Sequence, residues 1–153
     1  RRTERAVGAL GINCVATEEI IHLDLDVFAP TAAKDTIDEG MLSHLRCKIV
    51  AGAVDDPLRS PVLGAAFHER GILYAPDTII NAGGLISLVQ PLLRRDDRQT
   101  SMLQQLQGIG SRMNKLIKRA QKENRPTAVI AQLMAEEALA ERSSQEVTPL
   151  LAS

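Results

Sequence analysis

Gly71-Ile72-Leu73-Tyr74-Ala75-Pro76-Asp77-Thr78-Ile79-Ile80-Asn81-Ala82-Gly83-Gly84 decides how the rest of the chain is read. Residues 72–75 form a short apolar run of strand type. It stops at Pro76, which lacks the N–H that a strand ladder needs. An acid follows, and Thr78-Ile79-Ile80 leads into Asn81 and two glycines. Paired glycines let a backbone approach a ligand closely. A helical pattern comes next, and its N-terminus would attract negative charge or polar atoms. Asn81 carries a donor and an acceptor on one side chain, which suits a carboxamide or an amino-acid head group. The plain alternative is a loop that turns there.

Working outward, the same signals repeat. Residues 25–30 read as a strand that also stops at a proline, and Asp26-Val27-Phe28-Ala29-Pro30-Thr31-Ala32 is its end with small residues after it. Residues 36–45 read as helix, with Ile37, Met41, Leu42 and Leu45 at helical spacing. Residues 48–53 are apolar and branched, the pattern of a strand covered on both faces. A helix over 62–70 ends at Gly71. Strand, helix, strand, helix predicts an α/β fold with a parallel, doubly covered sheet. Ligands lie across the carboxyl ends of such strands, and three of those ends would converge on one edge.

Upstream, residues 1–10 read as the latter part of a helix closed by Gly11. Residues 12–15 are a strand candidate, and Thr17 a cap for a short helix running to His22. The chain begins Arg1-Arg2-Thr3 without an initiator Met, and is expected to be part of a longer protein. Downstream there is helix only. One helix is expected over 100–122, with Met102, Leu103, Leu106, Ile109, Met113, Leu116 and Ile117 among its apolar positions. A second follows Pro126 through Val129, Ile130, Leu133, Met134, Ala138 and Leu139. Residues 143–153, with small residues and Pro149, are expected to form a mobile tail.

Composition excludes several classes of function. Lys and Arg number 18 against 19 Asp and Glu, so no basic field is available for nucleic acid. Phe28, Phe67 and Tyr74 are the only aromatics, too few for base stacking. No apolar run approaches the ~20 residues of a membrane span, and the N-terminus is too polar for a secretory signal. Cys14 and Cys47 stand alone, so they read as buried thiols in a reducing cytoplasm. His22, Asp24 and Asp26 share a face if extended, but a solvated strand edge is preferred to a metal site, and none is expected. Gly108-Ile109-Gly110-Ser111-Arg112-Met113 lacks the third glycine of a phosphate loop and sits inside a helical pattern. Close packing against a helix or a ligand explains its glycines better. Arg94-Arg95-Asp96-Asp97-Arg98 is mixed in sign and reads as an exposed loop.

The 71–84 segment, with 26–32 and 48–52 in order and spacing, resembles the C-terminal part of the NAD-dependent amino-acid dehydrogenases. These act on leucine, valine, phenylalanine and glutamate; the leucine branch is the most similar. The resemblance spans about residues 5–142. It implies a partial Rossmann-type doubly wound sheet, holding only the later strands, followed by two long C-terminal helices. Residues 1–92 would be the partial NAD-binding domain and 93–142 the helices packed on it. The implied activity is reversible oxidative deamination of a branched or apolar L-amino acid to a 2-oxo acid and ammonia. The parent enzyme would be a cytoplasmic homo-oligomer with NAD as cofactor. Carried over by position, Asn81 would contact nicotinamide and substrate. Ala51, Gly52 and Ala53 would line the nicotinamide ribose, and Ala29, Pro30 and Thr31 the adenosine half. Gly110 and Met113 would border the substrate side chain.

Departures from the family pattern are informative. Val54-Asp55-Asp56-Pro57 replaces a run in which asparagines are usual, and two carboxylates would repel a pyrophosphate unless turned to solvent. Gln90 and Pro91 replace acids, and the proline should shorten the preceding helix. The catalytic lysine and aspartate of the family have no counterpart here and are expected upstream. In the usual strand order 3-2-1-4-5-6 the first two strands are central. The chain is therefore expected to begin just after the second strand, leaving two of its strands without a neighbour between them, and to fold poorly or self-associate alone. A non-catalytic binding or regulatory module built on the same fold is the competing possibility.

Overall fold

A computed structural model describes residues 2–89 and 98–147. The elements run α1 (Arg2–Leu10), β1 (Asp24–Phe28), α2 (Glu39–His44), β2 (Arg46–Val50), α3 (Leu63–Glu69), β3 (Leu73–Tyr74), α4 (Asp77–Ile80), α5 (Ala82–Val89), α6 (Arg98–Glu123) and α7 (Thr127–Val147). A single 3-10 turn, Ile20–His22, precedes β1. The three strands form one parallel sheet in the order β1-β2-β3. Phe28 pairs with Val50, and Val50 with Tyr74, so the three strands end at one level.

That order corrects the expected gap. Every described strand pairs with the next one in sequence, and no neighbour is missing between two of them. Short connections through α2 and α3 return the chain to the adjacent place in the sheet. Residues 12–15 form no strand. Their backbone has no partner strand among the described residues, and an apolar run without a partner is not a sheet. Thr17 makes no cap either. Instead the Glu19 carboxylate accepts from the backbone N–H of Ala16 at 3.2 Å.

Helix α2 begins three residues later than its apolar spacing predicts. Ile37 is taken by an isolated parallel bridge to Leu58, and Asp38 becomes the cap, accepting from Met41 N at 2.8 Å. Its last carbonyls are held from α3: the Arg70 guanidinium donates to Leu42 O and, at 2.9 Å, to Leu45 O. Gly71, at φ 68°, turns α3 into β3, a conformation that glycine adopts without strain. Helix α7 runs on through Val147, past the 142 boundary expected for a tail. The expected loop at 94–97 and the effect of Pro91 lie outside the described residues.

Two cores hold these elements together. Phe28, Ile37, Leu42, Leu45, Val50, Leu63, Phe67, Ile72 and Tyr74 fill the space between the sheet, α2 and α3. Phe67 is fully buried and stacks on Tyr74 at 5.5 Å, a contribution of about 2–3 kcal/mol from ring burial. Leu116, Ala120, Ile130 and Ala131 form the α6–α7 seam, with Met113 and Ile79 packed against it. The Thr127 hydroxyl donates to Tyr74 O at 2.6 Å, tying the start of α7 to the end of β3. Across the α6–α7 hairpin, Arg119 grips Glu137 with two bonds of 2.7 and 2.8 Å.

Candidate functional site

The carboxyl ends of the strands do converge. Beyond the ladder, Ala51 N donates to Phe28 O, Ala53 N to Pro30 O and Ala75 N to Val50 O, at 3.0, 3.0 and 2.8 Å. These bonds lock the three exits together. Gly52 is needed where two exits cross: a Cβ there would lie 2.0 Å from Pro30 O. Its glycine is thus explained by backbone packing against buried Pro30. Ala29, Thr31 and Ala53 are exposed along this rim.

From β3 the chain turns at Pro76 into α4, whose first residue is Asp77 and whose C-cap is Asn81. Pro76 supplies a fixed extended backbone before the helix (φ −61°, ψ 132°). Asp77, Thr78, Asn81, Ala82, Gly84, Leu85 and Leu88 line a cleft of about 480 Å³, with Asp55 facing them from the loop after β2. Asn81 Nδ2 donates to Val54 O at 3.1 Å. A carbonyl can only accept, so the amide nitrogen is the end committed to the protein. Oδ1 is left to accept from a ligand. Gly84, in the first turn of α5, borders open space: a Cβ there would meet nothing within 4 Å. Packing does not require this glycine, and its backbone is open to close approach.

The two carboxylates of the 54–57 run part company. Asp56 sits in the left-handed region at φ 49° and pairs with Lys34 Nζ at 2.8 Å. That bond raises the Lys34 pKa. Asp56 therefore lines a separate apolar groove of about 520 Å³, while Asp55 remains in the cleft. Asp77 accepts from Asp56 N at 3.0 Å and from the Tyr74 hydroxyl at 3.5 Å. Burial, reinforced by the Asp77 charge, raises the Tyr74 pKa far beyond its ordinary range, so Tyr74 stays a neutral donor.

The cleft fits a flat, amide-bearing ring better than a phosphate. It offers one amide acceptor, an uncovered glycine backbone and the exposed Leu85 and Leu88. Among the described residues no Lys or Arg lines it, and two acids do. Gly110 and Met113 do not line it. Gly110 is exposed on α6 with open space beside it, and Met113 packs into the α6–α7 seam.

The remaining candidates resolve into ordinary structure. No group of three His, Cys, Asp or Glu among the described residues is placed to hold a metal. Asp26 pairs with Lys48 at 2.7 Å, and Asp24 with Arg46 at 3.9 Å, a ladder across β1 and β2. Cys47 is a half-buried thiol whose pKa burial pushes up, and Cys14 is an exposed one. Asp77 escaped the sequence reading as a site residue, although its i, i+4 spacing to Asn81 was visible there.

Comparison with known proteins follows the same outline. Residues 4–146 match the family model of Glutamate/Leucine/Phenylalanine/Valine dehydrogenase. A leucine dehydrogenase of Geobacillus stearothermophilus is 37% identical over 133 residues, 87% of this chain and 36% of that enzyme. The crystal structure of L-tryptophan dehydrogenase from Nostoc punctiforme superposes with a TM-score of 0.84 at 28% identity, over 92% of this chain and 42% of that one. Hetero-hexameric glutamate dehydrogenase from Thermus thermophilus shares the fold, with a TM-score of 0.61 at 20% identity over 92% of this chain and 35% of that one. The chain thus spans little more than a third of the length of the leucine dehydrogenase it matches.

Proposed function

The chain belongs to the glutamate/leucine/phenylalanine/valine dehydrogenase family, and from that premise we propose that it serves an NAD-dependent L-amino-acid dehydrogenase. The reaction is reversible oxidative deamination of a branched or apolar L-amino acid to its 2-oxo acid and ammonia. The observation that carries this is Asn81: it stands at the ends of the strands with its nitrogen bound to Val54 O and its oxygen left to accept. Relatives named for leucine and tryptophan favour an apolar substrate.

NAD, when bound, supplies the acceptor for the hydride that leaves the substrate α-carbon. Asn81 Oδ1 would accept from an N–H of the nicotinamide amide or of the substrate ammonium, and so help to hold it at the strand ends. The uncovered backbone at Gly84 would border the bound nicotinamide. Leu85 and Leu88, both exposed, would supply apolar cover over the bound ligand. Ala51, Gly52 and Ala53 border the nicotinamide ribose, and Ala29, Pro30 and Thr31 the adenosine half. Asp55 lines the cleft, so the bound cofactor's pyrophosphate would have to lie away from it. Among the described residues no Lys lines the cleft, and the proton-transfer groups are assigned to parts of the enzyme outside this segment. The setting is proposed to be cytoplasmic and homo-oligomeric, with no membrane or nucleic-acid partner. Among the described residues no helix is long and apolar enough to cross a membrane.

The test is NADH formation by the full-length protein that carries this segment, with leucine, valine and phenylalanine as substrates. Turnover on at least one of them is expected. Absence of turnover on every amino acid overturns the proposal.

A further inference from the structure

Asp77 opens α4 and Asn81 closes it, one helical turn apart, so both side chains leave the same face. Both reach the loop after β2. Asn81 Nδ2 donates to Val54 O at 3.1 Å, and Asp77 Oδ2 accepts from Asp56 N at 3.0 Å. The loop held between them is strained, because Asp56 is an L-residue at φ 49°. Lys34 Nζ, at 2.8 Å from its carboxylate, and Asp35 N, which donates to Asp56 O at 3.0 Å, hold it from the other side. Residue 56 would relax toward negative φ if Asp77 let go. The Val54 carbonyl, two residues back, would turn with it. Asn81 would then lose the partner that decides which end of its amide faces the cleft.

We propose that Asp77 is a positioning residue: by holding Asp56 N it keeps the Val54 carbonyl on the Asn81 amide nitrogen, and so presents Asn81 Oδ1 to the ligand. The proposal deepens, and rests on, the assignment of this cleft to cofactor and substrate. Asp77 acts through Asn81 and not on the reacting atoms.

Two measurements test it. The first is a double-mutant cycle in the full-length protein, read as kcat/KM for the best amino acid. Asp77→Ala is expected to cost about tenfold to a hundredfold, the scale of a misplaced contact group. In an Asn81→Ala background the same change should cost almost nothing, because the two residues act in series. Asp77→Asn keeps an oxygen for Asp56 N and should recover most of the turnover. A merely structural role would lower turnover equally in both backgrounds, and that result overturns the proposal.

The second measurement needs no activity. In 15N TROSY spectra of the full-length protein, the Asn81 side-chain amide should show slow exchange. Asp77→Ala should bring it to the exchange rate of a free amide, and Asp77→Asn should not. Unchanged Asn81 resonances in Asp77→Ala overturn the proposal. If Asp77→Ala does not fold, Asp77→Leu, which fills similar space but offers Asp56 N no acceptor, replaces it in both measurements. Should the wild-type protein turn over no amino acid while Asp77→Ala still frees the Asn81 amide, the dehydrogenase assignment fails and the positioning role stands.

Discussion

Glycine has two different causes at the strand ends, and substitution separates them. Gly52 faces inward, where a Cβ would sit 2.0 Å from the backbone oxygen of Pro30. Backbone cannot step aside as a side chain can, and Ala53 N also depends on that oxygen. Gly52→Ala should therefore destabilise the fold by about 3 kcal/mol or more, the upper range for overpacking, read as a lower urea midpoint. Gly84 faces open space within a helix, so Gly84→Ala should be neutral or stabilising by up to ~1 kcal/mol. The same methyl narrows the cleft beside Asn81, and NADH affinity, followed by fluorescence titration, should fall while the urea midpoint holds. Equal binding by wild type and Gly84→Ala would remove that face of α5 from the site.

Elements meet through small contacts of the same kind. Gly64 lets α3 approach α7 so closely that a Cβ would lie 2.9 Å from the Ala128 methyl. Gly64→Ala should destabilise by about 1–3 kcal/mol, and Ala128→Gly should restore much of the loss despite its own helix cost. Losses that simply add would show that the two helices do not meet there. The α6–α7 hairpin adds a pH dependence. Arg119 holds the Glu137 carboxyl below its ordinary pKa of 4.5. A carboxyl lowered in the folded state contributes stability above its unfolded pKa, and loses it as pH falls through the folded one. Thermal melts from pH 6 downward should thus show a slope below about 4.5 that Glu137→Gln lessens. Most elements could be read in the sequence because Pro30, Pro76 and Gly71 punctuate them and their apolar spacing is regular. Residues 12–15 could not, since a strand exists only with a partner. Helix α4 is four residues long, too short for periodicity to register. The Asn81 site was legible as residue types, but its geometry depends on a backbone carbonyl at Val54, and no side-chain pattern records where a carbonyl points.

At the scale of the molecule, the sheet is paired throughout yet has an open side. The outer edge of β1 has no partner strand among the described residues, and Val27 on it is 48% exposed. Parallel strands are ordinarily covered on both faces, and an exposed apolar edge is a template for pairing with another chain. Leu10, Ile12 and Val15 are exposed in the preceding segment and add apolar surface. The ladder of Asp24, Asp26, Arg46 and Lys48 does not offset this, because its opposite charges neutralise one another across β1 and β2. A net charge of −1 gives little general repulsion between copies. The isolated 153-residue chain should therefore self-associate, eluting above the size of a 16.6 kDa monomer in a concentration-dependent way. Val27→Lys places a charge on the open edge without touching either core, and should shift the elution toward the monomer with little change in melting temperature. Monomeric elution of the wild-type chain at high concentration, with a sharp two-state melt, would show that the open edge of β1 is tolerated in water.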